Sequence, residues 1–166
     1  MEIKNIVKLF CLSILFVMSC SLYVKEKKYV EEKKEIDSIL AEISNPKNLN
    51  NKTSHEKFKD YKDRINELKE RLKDVNDAEL KEKLLKLQSL FEDKLAAKLA
   101  ALKAAKQKIE SITNKNNGKT EIWKEAKLVG VNIKYNGVNG QGGDQMSSDA
   151  IGQIDKIIKF LEEGTN

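Results

Sequence analysis

Cys20 is the residue whose chemistry is most sharply specified. It closes the string Val17-Met18-Ser19-Cys20, in which a small residue directly precedes a cysteine at the end of an apolar run. This is a lipobox in a loose form, where the chain is cut before the cysteine and the thiol is capped by lipid as a thioether. Lys4 and Lys8 give the start a positive charge, and residues 9–18 are apolar except for Ser13. A run of about ten fits a signal h-region, whereas a membrane-spanning helix needs about twenty. Cys11 is the competing thiol, but bulky Phe10 precedes it and it lies inside the apolar run. The reading is a signal peptide over residues 1–19 and a lipid on Cys20. Cys11 leaves with the signal, so the mature chain holds one blocked cysteine and can form no internal disulfide.

The remaining chemistry-bearing types give weaker patterns. His55 is the sole histidine, at a loop-to-helix boundary, with no second histidine or free thiol to share a metal; it reads as a surface residue. Gly118-Lys119-Thr120 matches the end of a phosphate-binding loop, but Thr113 stands where the first glycine is required and a helix pattern precedes it where a strand is needed. Thr120 is better explained as a helix cap. Gly137, Gly140, Gly142 and Gly143 with Asp144 lack the ligand spacing of a calcium loop and the strand context of a phosphate site. Asn51-Lys52-Thr53 matches a glycosylation sequon, as polar sequence does by accident. The stretch Lys94, Lys98, Lys103, Lys106 and Lys108 could attract acidic polymers, although interspersed charges on a long helix normally form a solvated face. Trp123 and Tyr135 sit beside loops, and Trp123 is the weak candidate for a ligand anchor, with capping of the core as its plainer role. No enzymatic constellation emerges. The expectation is a protein that is not an enzyme and uses no cofactor, metal, nucleotide or nucleic acid.

These residues must be carried by helices. Without Glu2, Lys4 and Lys8 the mature chain keeps 29 basic and 25 acidic residues, a densely charged and mildly basic surface rather than a polycation. One proline, few aromatics and abundant Lys, Glu, Leu and Ala are a helix-former's composition. A hexad, Tyr23-Val24-Lys25-Glu26-Lys27-Lys28, is followed by its near copy Tyr29-Val30-Glu31-Glu32-Lys33-Lys34. Six is no helical period, so the duplication reads as tether. Residues 20–28 are then a lipidated tether and residues 29–166 one helical ligand-binding domain.

Within that domain the apolar spacing predicts a helix over 29–43, broken by Asn45, Pro46 and the asparagines that follow. Phe58, Tyr61, Ile65, Leu68, Leu72 and Val75 are spaced 3, 4, 3, 4, 3 and mark the seam of a second helix. Asn76 and Glu79 form a capping box that opens a third helix over 78–112, its stripe running through Leu80, Leu84, Leu87, Phe91, Leu95, Leu99, Leu102, Ile109 and Ile112. The fours from Leu87 to Leu99 read as a stutter in the heptads. A short helix follows Thr120 and ends near Gly130. Val131, Ile133 and Tyr135 alternate as an extended segment would, and Ser147 or Ser148 caps a final helix through Ile151, Ile154, Ile158 and Leu161. The fold class is all-α, an elongated antiparallel bundle of three to four helices.

Five passages carry a resemblance. They are Val30-Glu31-Glu32-Lys33-Lys34-Glu35-Ile36-Asp37-Ser38, Phe58-Lys59-Asp60-Tyr61-Lys62-Asp63, the block from Leu80 through Lys106 with Asp93-Lys94-Leu95-Ala96-Ala97-Lys98-Leu99, Glu125-Ala126-Lys127-Leu128-Val129-Gly130-Val131, and the ending from Gln153-Ile154-Asp155 to Asn166. In these the chain resembles the Rev family of surface lipoproteins of Lyme-disease spirochaetes. The resemblance implies an adhesin lipid-anchored in the outer membrane at the cell surface, with host fibronectin as its chief partner and laminin as another. It brings no residue-level binding motif. A periplasm-facing structural lipoprotein, assembling with envelope proteins through its helical seams, is the competing expectation. If adhesion rests on charge, the solvent-facing lysines supply most of the attraction, since they far outnumber aromatic anchors.

Overall fold

The computed structural model describes residues 29–134 and 142–164. The expected signal peptide, the tether, Cys20, Tyr135, Gly137 and Gly140 lie outside the described residues. Five helices make up the rest: α1 (Val30–Ser44), α2 (His55–Leu72), α3 (Ala78–Ser111), α4 (Lys119–Leu128) and α5 (Gly143–Glu163). The fold is all-helical, as the spacing predicts, and one more helix belongs to the packed body than the three to four expected.

The long helix α3 is the spine, and each of the other four packs against it. Ion pairs between helices give the directions. Glu35 with Arg71 and Glu42 with Arg64 make α1 and α2 antiparallel, while Lys33 with Glu79 and Lys83 with Asp37 run α1 parallel to the first part of α3. On the second part of α3, Lys103 with Glu162 and Lys106 with Asp155 make α5 antiparallel to the spine, and Lys108 reaches Glu125 of α4. Two three-helix layers therefore share one helix. They meet where α2 also touches α5, with His55 edge-on to Phe160 at 4.7 Å between ring centroids.

The core follows the predicted stripes closely on α1 and α2. Ile36, Ile39 and Ile43 are buried, as are Phe58, Tyr61, Ile65, Leu68 and Leu72. Burial of these side chains is the main stabilising term, at roughly 25 cal/mol per Å² of apolar surface. Val75 lies beyond the end of α2 and is only partly buried, its N–H bonded to the Leu72 carbonyl at 3.1 Å.

Helix starts depart from the sequence expectations. Asp77, not Asn76, caps α3, its Oδ1 accepting from the Leu80 N–H at 3.0 Å, and Glu79 is pointed away to Lys33 at 2.7 Å. An interhelical ion pair has replaced the reciprocal half of the box. Helix α4 begins at Lys119 after Gly118, so Thr120 lies in its first turn instead of capping it. Helix α5 starts at Gly143, ahead of both predicted caps, and Ser147 is buried inside it. The reason lies elsewhere in the chain. The Gly143 N–H donates to Asn116 Oδ1 at 2.7 Å, and a Cβ at Gly143 would collide with the Lys115 backbone at 2.1 Å. A side chain from the preceding loop thus satisfies a first-turn amide that local sequence would leave open. Residues 131–134 form no regular element, but Val131 and Ile133 are buried while Asn132 and Lys134 are exposed, so the predicted alternation survives without a strand partner.

Leu68 is fully buried and Leu72 nearly so. Truncating either to alanine should lower the unfolding free energy by about 2–5 kcal/mol in urea titration. A loss below about 0.5 kcal/mol at both positions, the size of a surface effect, would contradict the packing described.

Candidate functional site

The lysine stripe of α3 is the first surface to weigh, because the sequence offers it to acidic polymers. The structure ties three of its five members to neighbouring helices and buries a fourth. Lys103, Lys106 and Lys108 are held by Glu162, Asp155 and Glu125 at 2.8, 2.7 and 3.3 Å, and Lys98 is not on the surface at all. The inward positions of α3 run Leu87, Phe91, Leu95, Lys98, Leu102, Ala105 and Ile109. After the stutter the phase turns one residue early, taking Lys98 inside and leaving Leu99 partly buried on the flank.

Lys98 sits between the two layers, 1% exposed. Its four methylenes fill the core and its Nζ donates to two main-chain carbonyls, those of Asn51 and of Val129, the latter at 2.8 Å. Val129 is the residue that ends α4, so the amine meets a carbonyl that no later turn of helix can satisfy. Burial pushes the amine's pKa down to about 8. Beside it, Gly130 adopts φ +77°, and a Cβ there would lie 2.5 Å from the Lys52 carbonyl oxygen. The backbones of the 45–54 loop and of the α4 end approach so closely that only glycine fits.

Trp123, the sequence's anchor candidate, is half-buried and packs against the core from α4, with Lys127 Nζ 4.5 Å from its ring centroid. The core-capping role is the one its packing bears out, with the Lys127 cation over the ring. Leu128 nearby is half-exposed, an apolar side chain in solvent on the same helix. His55 is not a plain surface residue; its ring meets Phe160 and its Nε2 lies 3.1 Å from Glu56 Oε1. Among the described residues no cluster of His, Cys, Asp and Glu has the makings of a metal site.

Two features were not foreseen. A polar clamp joins α1 to α2, in which Glu42 accepts from Tyr61 Oη and Arg64 Nη1, both at 3.0 Å. The Arg64 guanidinium holds the Glu42 carboxyl below the usual carboxylate range, and burial with the Glu42 bond pushes the Tyr61 phenol up. A groove of about 180 Å³ also runs between α2 and α3, floored by Ile65, Phe91 and Leu95 and rimmed by Lys62, Lys69 and Glu92. Neither is signalled by spacing along one helix, because each joins residues from two.

Comparison with known proteins fits this picture. The family model described as Borrelia burgdorferi REV protein matches residues 1–163. A crystal structure of a Rev protein from Borrelia burgdorferi is 60% identical to the chain, covering 81% of it and 97% of that protein's chain, with a TM-score of 0.75. No curated protein matches the chain.

The Lys98 amine generates a pH test. Its folded pKa near 8 is below the ordinary 10.5, so between these values the unfolded chain binds more protons and stability rises with pH. Replacing Lys98 by methionine keeps most of the stem and removes the titration. Between about pH 8 and 10.5 the unfolding free energy of the native chain should gain on that of Lys98→Met by up to about 3 kcal/mol, at about 1.4 kcal/mol per tenfold in proton affinity. Urea titrations at several pH values check this; parallel pH profiles would show that the amine is not desolvated.

Proposed function

Because the chain belongs to the Borrelia burgdorferi REV protein family, we propose that it is a lipoprotein of the outer surface, anchored through Cys20, whose helical domain binds host fibronectin and, secondarily, laminin. The observation that carries this reading is the family match over residues 1–163, which spans the lipobox as well as the helical domain. The family resemblance supplies the ligands, and the geometry bears on how they are held. Pairing of Lys103, Lys106 and Lys108 and burial of Lys98 leave the α3 stripe little net charge to offer. The half-open Trp123 and the exposed Leu128 supply the amphipathic area that protein interfaces use as anchors. The anchor therefore replaces the lysine stripe as the preferred contact.

Three measurements follow from this reading. The purified chain should bind immobilised fibronectin saturably. Trp123→Ala should weaken that binding by more than about 1 kcal/mol, while Lys103→Gln and Lys106→Gln should change it by less than about 0.5 kcal/mol. A folded chain with no saturable binding even at low salt would remove the adhesin reading. Cys20→Ala should abolish fatty-acid incorporation and membrane retention while Cys11→Ala leaves both intact; normal labelling of the Cys20 variant would sink the anchor assignment. Protease added to intact cells should remove the protein, and full protection would favour a periplasm-facing structural role.

A further inference from the structure

Three lysines without an ion-pair partner face one hollow at the junction of α1 and α2. Between α1 and α2 an open hollow of about 300 Å³ is lined by Lys47, Asn48, Asn50, Lys52, Thr53, Ser54 and Lys57. The three lysines are exposed, no acidic residue lines the hollow, and none of the three ammonium groups is in an ion pair with a described residue. Several lysines of the helices are matched across helices, as Lys33, Lys83, Lys103 and Lys106 are.

The loop is also built to hold its shape. Asn50 Nδ2 donates to the Pro46 carbonyl at 2.8 Å, the Lys52 N–H to Asn50 Oδ1 at 2.8 Å, and Thr53 Oγ1 to the Asn48 carbonyl at 3.1 Å. Leu49 is buried beneath it, and Lys98 holds the Asn51 carbonyl from inside. Much of the loop's polar capacity is thereby used internally, and three ammonium groups are left to face outward. Lysine ammonium is a point charge with freely turning donors, so such a surface reads spaced negative charge rather than one shaped molecule. A protein partner would in addition want apolar or aromatic contact, and the hollow's lining has none.

We propose that the 45–54 loop and the first turn of α2, with Lys47, Lys52 and Lys57 around one open hollow, are a binding site for a linear sulfated polysaccharide. Trp123 does not line the hollow, and the proposal does not rest on fibronectin binding.

The test uses the full chain in non-ionic detergent, a heparin octasaccharide, its desulfated counterpart, inorganic sulfate and poly-glutamate, with titration calorimetry at about 0.15 M salt. The octasaccharide should bind. The triple variant Lys47→Gln, Lys52→Gln, Lys57→Gln should lose at least about tenfold in affinity, whereas Lys81→Gln, Lys86→Gln, Lys94→Gln, which removes the same charge from α3, should lose less than about threefold. Single variants, each expected to lose about twofold, carry the test if the triple variant melts early. Equal losses in the two triple variants would mean diffuse attraction and overturn the site. So would equal binding of the desulfated sugar, of free sulfate, or of poly-glutamate, the last pointing to an acidic polypeptide. Fibronectin binding measured on the same triple variant separates failure of this proposal from failure of the adhesin reading.

Discussion

A primary amine in the middle of a hydrophobic spine constrains everything around it. Lys98 cannot reach water, so the chain must bring acceptors to it, and it brings two main-chain carbonyls from segments far apart in sequence. One belongs to the loop after α1 and the other to the end of α4. Each carbonyl fixes the position of its segment, and the two segments are then pressed so closely together that residue 130 must be glycine in the left-handed region. The layer formed by α1 and α2 and the layer formed by α4 and α5 are thus joined at one nitrogen. Taking a cation from water is costly, and hydrogen bonds to carbonyls recover only part of that cost, which is why burial lowers the amine's proton affinity. Such a joint specifies which parts meet more than it adds to net stability.

Local pattern was enough for the helices and insufficient for their ends. Spacing of apolar residues located α1, α2 and α3 to within a few residues, because a buried stripe leaves a period that no other feature in the sequence mimics. Caps were harder. Asn76, Thr120, Ser147 and Ser148 are all competent capping types, yet the ends are set by Asp77, by Gly118 and by Asn116 acting across a loop. Capping is decided among neighbouring hydrogen-bonding residues by small energies, about 1 kcal/mol, and a contact from another segment outweighs that easily.

For the site the same division holds. The proposal for Cys20 rests on a contiguous string of residues, which calls for no tertiary structure. The pairing of the α3 lysines is not legible for the opposite reason: the partners of Lys106 and Lys103 are 49 and 59 residues away, so nothing near them in sequence announces the ion pairs. Lys98 looked like one more member of a solvated face. The stutter was visible, but the choice between Lys98 and Leu99 as the inward residue depends on carbonyls at Asn51 and Val129 that no helical period encodes. Of the two roles weighed for Trp123, packing against the core was the legible one, since an indole on a short amphipathic helix has few other places to go.

The pairing of helix charges has a consequence for where a partner can bind. A rod whose lysines were all free would attract any polyanion along its length and hold none in register. Here several of the cations between helices are spent on tying the helices together, and Lys47 and Lys52 stand on a loop that the core itself holds in place through Leu49 and Lys98. The same amine that joins the two layers therefore fixes the segment that carries these two lysines. Preorganisation of that kind lowers the ordering cost of binding, so modest point-charge contacts can amount to a specific site.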